Sequence, residues 1–482
     1  MLPIYNAARV RTCYCPLLRN ILIHHEGFDR LCKKSAPGAL YSSLERRRLD
    51  APKCHPNTRL AVIDRLIDWM TGKIDDSALI LWLYGAAGAG KSAIAHTVAE
   101  MCEKYGWLLA TFFFWKTASE RNDESRVAAT IAHQISLAIP ATREYIEAAV
   151  DHNPGIFAQS IDIQLTRLIA EPLHQLQSTG FDFKGCPFLI VIDGLDECQG
   201  SEAQSDVVKS LITAFYQSPL RTRILIASRP EVNLQTIFGS STLQCHISRL
   251  ALSHEYSSSG DIYRFLKDSF EKIRNEHPLA SYIPSSWPSS EVIHEITRKS
   301  SGQFIFASTT INYVGRDLHE LPTRRLDVIR RLQPARGEED LPYAELNSLY
   351  RHVLSNVRNV GRVKQVLGVL FVVNPVVDEG TVRSMDSMDS FLFWQPGETQ
   401  ACLSQLASII QCGIDGEISI LHSSLSDFLL DSTRSHKLHL CQESVLGDCA
   451  ALALRHMGQL VDDSDGELLQ SPGSYFLSAQ SF

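Results

Sequence analysis

The stretch GAAGAGKSA, residues 85–93, follows the apolar run LILWLY at residues 79–84 and precedes a segment whose apolar residues recur at helical spacing. It matches the pattern G-x-x-x-x-G-K-[ST], in which small residues let backbone N–H groups curl around an anion. The N-terminus of the following helix adds the positive end of its dipole. The sequence therefore predicts a phosphate-binding loop between a buried strand and a helix.

This loop supplies most of the candidate ligand-binding residues. Lys91 is predicted to reach the β- and γ-phosphates of a nucleotide, and the hydroxyl of Ser92 is predicted to ligate Mg²⁺. The alternative is a glycine-rich turn that binds nothing, and the next motif argues against it. The residues predicted to surround the phosphates are Gly85, Ala86, Ala87, Gly88, Ala89, Gly90, Lys91, Ser92 and Ala93.

A second motif, LIVIDGLDEC at residues 189–198, places acidic residues at the end of an apolar strand. Ligands of open α/β sheets bind at the carboxyl ends of the strands, so Asp193 is predicted to hold the Mg²⁺ that Ser92 also contacts. Asp196 and Glu197 follow, and one of them would orient or deprotonate an attacking water; Glu197 is the first choice. The alternative is an acidic turn that only solvates the strand end.

A third motif, RILIASRPE at residues 223–231, ends a strand in Ser228 and Arg229. If this strand lies beside the first one, Arg229 comes close to the γ-phosphate. A guanidinium there could sense that phosphate or stabilise charge in the transition state. The alternative is a surface arginine at a strand exit.

Alternation of apolar runs with helical segments predicts a mostly parallel sheet covered by helices on both faces. The predicted strands span residues 79–84, 107–115, 188–193, 222–228 and 241–247. The expected fold class is α/β, a P-loop NTPase sheet flanked by helices, followed by an all-α bundle and a winged-helix-like domain. The expected units are a poorly defined N-terminal segment (1–55), the P-loop domain (56–250), a helical domain (251–345), the winged-helix-like domain (346–435) and a tail (436–482).

Composition narrows the partners. The formal net charge is −8, which disfavours nucleic acid as the main partner because no basic excess meets phosphates. No apolar run reaches the roughly 18 residues of a membrane span. The 12 cysteines are scattered and show no metal-site spacing, so we expect free thiols in a reducing cytosol and a cytoplasmic protein.

The three motifs, in this order and spacing, resemble the NACHT domain of STAND-class P-loop NTPases, and the closest resemblance is to the fungal NACHT family, related in architecture to NOD-like receptors. The resemblance extends over residues 54–432. It includes the segment KCHPNTRLAVIDRLIDWM before the loop, SGQFIFASTTINYV, and LHSSLSDFLLD, which is similar to the block that ends the switch module. That block departs from the family at Leu425, where phenylalanine is usual.

The resemblance implies ATP and ADP as ligands with Mg²⁺ as cofactor. It implies that His422 contacts the ADP phosphates in the resting state, with a packed core histidine as the equal alternative. By the same analogy Thr58 and Arg59 contact the base. Family members typically carry an effector unit before the module and a repeat array after it, and we expect this chain to lack the array.

Three functions remain open. The first is a signalling switch, in which ATP binding and slow Mg-dependent hydrolysis control opening and self-association, and an effector protein of unknown identity receives the signal. The second is a turnover ATPase that drives remodelling or transport, which a high unassisted rate would favour. The third is a scaffold that binds nucleotide without hydrolysing it. Asp193, Asp196, Glu197 and Arg229 argue against the scaffold, and a slow ATPase is expected.

Overall fold

The structure is a computed structural model, and it describes residues 26–43, 53–183, 188–216, 218–252, 258–338, 341, 343–375, 382–413 and 416–464. Its first large unit is built around a five-stranded sheet with the order β2-β3-β4-β1-β5, and every neighbouring pair is parallel. The strands are β1 Ile80–Tyr84, β2 Leu108–Phe113, β3 Phe188–Asp193, β4 Thr222–Ser228 and β5 Ile247–Ala251.

Both faces of this sheet are buried. Along β1, Ile80 and Trp82 pack into one apolar cluster, whereas Leu81 and Leu83 pack into the cluster on the opposite face. Successive side chains of a strand point to opposite faces, so helices must cover both. The helices of this unit are α1 Glu26–Lys34, α2 Leu60–Met70, α3 Lys91–Lys104, α4 Val127–Ala138, α5 Arg143–His152, α6 Ile161–Leu165, α7 Glu171–Ser178, α8 Ser201–Tyr216 and α9 Val232–Gly239.

The sheet register places the three motifs at one edge. Ala227 in β4 pairs with Leu83 in β1 on one side and with Asp193 in β3 on the other. The fourth strand therefore lies beside the first, which is the condition under which Arg229 comes close to the phosphate loop. As a result, the loop after β1, the acidic residues after β3 and Arg229 after β4 leave the sheet side by side.

The fifth strand differs from its prediction. Residues 241–247 were predicted to be extended, but Gln244–His246 forms a turn of 3₁₀-helix and the strand is Ile247–Ala251. In this register Ile247 and Leu250 are buried at 8% and 3% exposure, and the strand pairs with β1. The position of β5 is thus set by its pairing with the interior strand β1, and the apolar residues before Ile247 do not set it.

The N-terminal segment also differs from its prediction. Residues 26–43 were expected to be poorly ordered, yet α1 and the turn after it pack on the core of the sheet unit, where Leu31 and Ala39 are fully buried. Backbone groups join in, since the N–H of Ala36 donates to Thr130 Oγ1 at 2.9 Å and the N–H of Tyr41 donates to Thr111 Oγ1 at 3.1 Å. The rest of the predicted segment up to residue 52 lies outside the described residues.

The described residues after β5 are mostly helical and have their own apolar core. A bundle comprises α10 Ser259–Glu276, α11 Ser290–Lys299, α12 Phe304–Gly315 and α13 Pro322–Arg331. It is followed by α14 Ala344–Ser355, α15 Val360–Gly368 with a π-helical turn Val369–Val373, α16 Met385–Phe391, α17 Glu398–Leu403, the antiparallel hairpin β6 Ile410–Cys412 and β7 Ile418–Ile420, α18 Ser424–Leu430, α19 Ser432–Ser435 and α20 Gln442–Ser464.

The architecture is thus a helix-covered parallel sheet followed by a helical region with one small hairpin, which agrees with the predicted fold class. The predicted tail beyond residue 464 lies outside the described residues. None of the helices in the described ranges has both the length and the apolar character to cross a membrane.

Candidate nucleotide-binding site

The loop after β1 has the shape of an anion cradle. Gly88 and Gly90 adopt φ values of +74° and +92°, which side chains with a Cβ rarely allow. Lys91 Nζ donates to the carbonyls of Gly85 at 2.8 Å and Ala86 at 3.0 Å, so it closes the loop on itself and keeps its third hydrogen for a ligand. The N–H groups of Lys91 to Ala93 belong to the first turn of α3, where a helix offers donors without internal partners.

These groups face a cavity of about 510 Å³ that lies between the sheet unit and the helical region. Its size is within the usual range for small-ligand sites. Three acidic side chains, Asp193, Asp196 and Glu197, line it. Its six basic side chains are Lys53, Arg59, Lys91, Arg121, Arg229 and Arg316. The excess of positive charge suits a polyanionic ligand.

The predicted loop residues do not all reach the cavity. Ala87, Gly88 and Gly90 to Ala93 line it. Gly85, Ala86 and Ala89 are outside its lining and serve through their carbonyls instead, the first two for Lys91 and the third for Arg59, whose Nη2 donates to Ala89 O at 2.7 Å.

The acidic motif is arranged by a short turn after β3. Gly194 has φ +74°, and Leu195–Glu197 forms a turn of 3₁₀-helix that sends Asp196 and Glu197 toward the cavity. Glu197 Oε2 accepts the backbone N–H of Lys116 at 3.1 Å. Burial, together with the neighbouring charge of Asp196, raises the pKa of Glu197 to about 7. A carboxylate with such a pKa is suited to accept a proton near neutrality.

Arg229 is held by both halves of the molecule. Its Nε pairs with Asp196 Oδ2 at 3.1 Å, and its backbone N–H donates to Asp196 Oδ1 at 3.0 Å. From the C-terminal region, Asp427 Oδ2 accepts from Nη1 at 2.5 Å and Ser423 Oγ accepts from Nη2 at 3.2 Å. Burial opposes the charge, but Asp427 and Asp196 outweigh it and raise the pKa of Arg229. In this arrangement the guanidinium is bound by protein carboxylates.

His422 lies in the cavity wall just before α18. The N–H of Ser424 donates to His422 Nδ1 at 3.0 Å, so the ring proton of the neutral form is on Nε2. Burial, with the positive charges of Arg229 and Lys91, lowers the pKa of His422 to about 4. The residue therefore presents a neutral ring at physiological pH.

Thr58 and Arg59 also line the cavity, just before α2. Thr58 Oγ1 donates to the carbonyl of His55 at 2.6 Å. Arg59 has φ +58°, its N–H donates to Asp261 Oδ2 at 3.0 Å, and its guanidinium lies 5.0 Å from the centre of the Phe304 ring. Arg59 thus joins the segment before α2 to the bundle.

Sequence reasoning missed several residues at this site. Asp427 and Ser423 were within the quoted block LHSSLSDFLLD, so their proximity to His422 was a usable signal. No pattern pointed to Lys116, which meets Glu197 only through the fold. The predicted residues Thr58, Arg59, Lys91, Ser92, Asp193, Asp196, Glu197, Arg229 and His422 all line this cavity.

The donor set fits a nucleotide with Mg²⁺ better than a metal bound by protein alone. Within the described ranges, no three His, Cys, Asp or Glu side chains are grouped so that they could hold a metal ion. Mg²⁺ usually takes one or two carboxylates together with substrate phosphates and water. Ser92 and Asp193 beside an anion cradle match that requirement.

Comparison with known proteins gives one family match. The model of the family described as "Nephrocystin 3, N-terminal" matches residues 63–229, less than half of the chain. No curated protein matches the chain. The matched range runs from α2 through Arg229 and therefore includes the loop and the acidic motif.

Among solved structures, the chain is similar to a Drosophila ORC bound to DNA, at 11% identity and a TM-score of 0.33 over 91% of this chain and 95% of that chain. It is also similar to a Thermotoga maritima RuvB mutant, at 11% identity and a TM-score of 0.32 over 77% of this chain and 94% of that chain. It is similar as well to the Aeropyrum pernix ORC2 protein, at 13% identity and a TM-score of 0.35 over 86% of this chain and 98% of that chain. At these TM-scores the likenesses carry no argument about function.

The fold of the chain follows from its own geometry. A glycine-rich loop with lysine and serine joins the interior strand β1 to α3, an aspartate ends β3, and β4 lies between these two strands. This is the arrangement of a P-loop NTPase, with the candidate site at the carboxyl edge of the sheet.

Proposed function

We propose that the chain is a STAND-class NTPase switch, similar to NACHT proteins, that binds ADP or ATP with Mg²⁺ and hydrolyses ATP slowly. The single observation that carries this proposal is the position of the cavity. The phosphate loop forms one of its walls, and Ile420 to Ser423 of the C-terminal region form another. A ligand in such a cavity contacts both units, so its binding can change the free-energy difference between the arrangement in which they are in contact and the one in which they are apart.

Each candidate residue has a role in this proposal, and Arg229 would sense the γ-phosphate or stabilise charge in the transition state. Lys91 and the first turn of α3 bind phosphates, Ser92 and Asp193 hold Mg²⁺, and Glu197 with Asp196 orients or deprotonates water. A bound Mg²⁺ would supply neutralisation of charge on the phosphate oxygens. Thr58 and Arg59 lie at the base end, and His422 offers Nε2–H to a phosphate. The P-loop domain is proposed to span 56–250, the helical domain 251–345 and the winged-helix-like domain 346–435.

The present arrangement supports a closed state that does not hydrolyse. Arg229 is bound by Asp427 and Ser423. Ser423 also forms a hydrogen bond with Glu197, which offsets part of the rise in the pKa of that carboxyl. Both hydrolytic candidates are thus engaged by the C-terminal block. ATP would favour the open form only through a difference in affinity for the two forms, and the open form is proposed to self-associate and to contact an effector. The free thiols support a reducing compartment such as the cytoplasm.

The test is the nucleotide that co-purifies with the protein. We expect mass spectrometry to find ADP in the wild-type protein and none in Lys91→Ala, because Lys91 is the only charged residue in the loop sequence 85–93. Lys104→Ala is the matched control, since Lys104 ends the same helix α3 outside the cavity lining. Saturating ADP at about 100 times Kd should stabilise the wild type by about 2.7 kcal/mol. Folded wild-type protein that carries no nucleotide and gains no stability with Mg-ATP would contradict the proposal.

A further inference from the structure

A tyrosine that is distant in sequence contacts the phosphate loop. Tyr343 Oη accepts the backbone N–H of Ala87 at 3.1 Å across 256 positions of sequence. Tyr343 immediately precedes α14, and Ala87 is the third residue of the loop motif. Backbone N–H groups of such loops normally serve an anion, so a protein hydroxyl on one of them requires an explanation.

The peptide group that meets Tyr343 also meets the phosphate lysine. The N–H of Ala87 and the carbonyl of Ala86 belong to one planar unit, and that carbonyl accepts from Lys91 Nζ at 3.0 Å. Because the peptide is planar, the direction of its N–H fixes the direction of its C=O. Tyr343 therefore fixes the carbonyl that positions the Lys91 ammonium.

Tyr343 makes this contact from an unfavourable backbone conformation. Its φ of +74° lies in the left-handed region, which residues with a Cβ rarely occupy. Its carbonyl accepts the N–H of Asn347 at 2.8 Å, and the Arg434 guanidinium lies 5.3 Å from the centre of its ring. Arg434 in turn donates to Asn347 Oδ1 at 3.0 Å. Groups of the C-terminal region thus hold the tyrosine in place.

The segment that carries Tyr343 connects the bundle to the C-terminal region, between α13 and α14. Glu338 in this segment accepts from Arg351 Nη1 at 3.0 Å and lies 3.0 Å from His436 Nε2. Both partners lie after the segment in sequence. Glu338 and Tyr343 are thus both in contact with the C-terminal region, and the hydroxyl of Tyr343 is where that region reaches the loop.

We propose that Tyr343 is a positioning residue that couples the C-terminal region to the phosphate loop. While the two are in contact, Tyr343 holds the Ala86–Ala87 peptide and, through it, Lys91. When the C-terminal region moves away, the peptide is free to turn and Lys91 loses an anchor, so bound nucleotide is released faster. The effect on nucleotide rests on the proposed function, whereas the effect on the loop does not.

Tyr343→Phe removes only the hydroxyl and tests this coupling. Tyr313→Phe is the matched control, because it deletes a half-buried hydroxyl that bonds His352 Nε2 at 2.9 Å outside the cavity lining. In nucleotide-free protein, we expect amide hydrogen exchange of residues 84–92 to be faster in Tyr343→Phe than in the control. In loaded protein, we expect a fluorescent ADP analogue to dissociate about 2- to 10-fold faster, the range for loss of one neutral hydrogen bond.

The outcomes separate the two proposals. Loop exchange in Tyr343→Phe that equals the wild type, or that rises equally in Tyr313→Phe, overturns the coupling. Faster exchange of the loop with unchanged release of the analogue also overturns it, because Lys91 would then be unaffected. If the wild type binds no analogue, the proposed function fails, and the exchange measurement alone decides whether Tyr343 restrains the loop.

Discussion

At the scale of single residues, the charge state of His422 follows from its surroundings. Nδ1 is committed to the N–H of Ser424, and two cations lie near the ring. A protonated ring would carry a hydrogen on Nδ1, where the N–H of Ser424 already donates. Burial and the two nearby positive charges also disfavour the protonated ring, so all of these effects lower the pKa of His422. The histidine is thus a neutral hydrogen-bond donor through Nε2.

This state has a consequence for stability. The pKa of His422 falls to about 4 in the folded protein from an ordinary 6.5, so the unfolded chain binds the proton more tightly. The contribution to the free energy of unfolding is present above pH 6.5 and is lost as pH falls toward 4. His422→Asn keeps an acceptor at the Nδ1 position and cannot titrate. We therefore expect the stability advantage of wild type over this variant to shrink as pH falls through that window.

Urea unfolding at several pH values between 4.5 and 7.5 measures this difference. The raised pKa of Glu197 acts in the opposite direction, since stability from its proton is lost as pH rises toward about 7. Glu197 is present in both the wild type and His422→Asn, so the difference between their pH profiles reports on His422. His152→Asn, an exposed histidine at the end of α5, is the control. Parallel pH profiles for wild type and His422→Asn would contradict the assignment.

Some residues of the site could be predicted from the sequence, and others could not. Lys91, Ser92, Asp193 and Arg229 were predictable because a loop pattern and strand ends place them at one sheet edge. Tyr343 was not, because its contact with Ala87 depends on how separate units pack and leaves no periodic trace.

At the scale of elements, the phosphate loop and helix α12 fit against each other. A Cβ on Gly88 would lie 2.1 Å from Ile305 Cγ2, which no side chain tolerates. The bundle therefore constrains the loop directly. The sequence predicted the loop and the helical domain that contains α12, but the contact between them needed the packed structure, as did the position of β5 and the burial of α1.

Gly88→Ala tests this fit. The added methyl must push α12 or the loop away, so we expect at least a tenfold loss of ADP affinity by calorimetry and destabilisation of roughly 1–3 kcal/mol. Gly106→Ala is the matched control, because Gly106 has φ +69° and nothing within 4 Å of the added Cβ. The control carries only the backbone cost, about 1 kcal/mol. Equal affinity losses in the two variants would show that the contact with Ile305 is unimportant.

At the scale of the whole molecule, the contact between Arg229 and Asp427 spans almost 200 positions of sequence and joins the sheet unit to the C-terminal region. Both side chains are about a quarter exposed, so solvent weakens the pair without removing it. Asp196 holds the same guanidinium from the other side. Loss of Asp427 therefore leaves Arg229 paired with Asp196, and what is weakened is the contact between the sheet unit and the C-terminal region.

Asp427→Asn should shift the molecule toward the proposed open form. A hydrogen bond to a charged group contributes about 1.5–3 kcal/mol, which sets an upper range of about 10- to 100-fold for the change in the closed-to-open ratio. We expect faster release of a fluorescent ADP analogue, and self-association by light scattering at lower protein concentration in Mg-ATP. Glu398→Gln is the matched control, since it breaks a 2.7 Å ion pair with Arg362 inside the C-terminal region. A variant that stays monomeric and releases the analogue at the wild-type rate would mean that this pair does not hold the units together, and that the closed state depends on other contacts across the cavity.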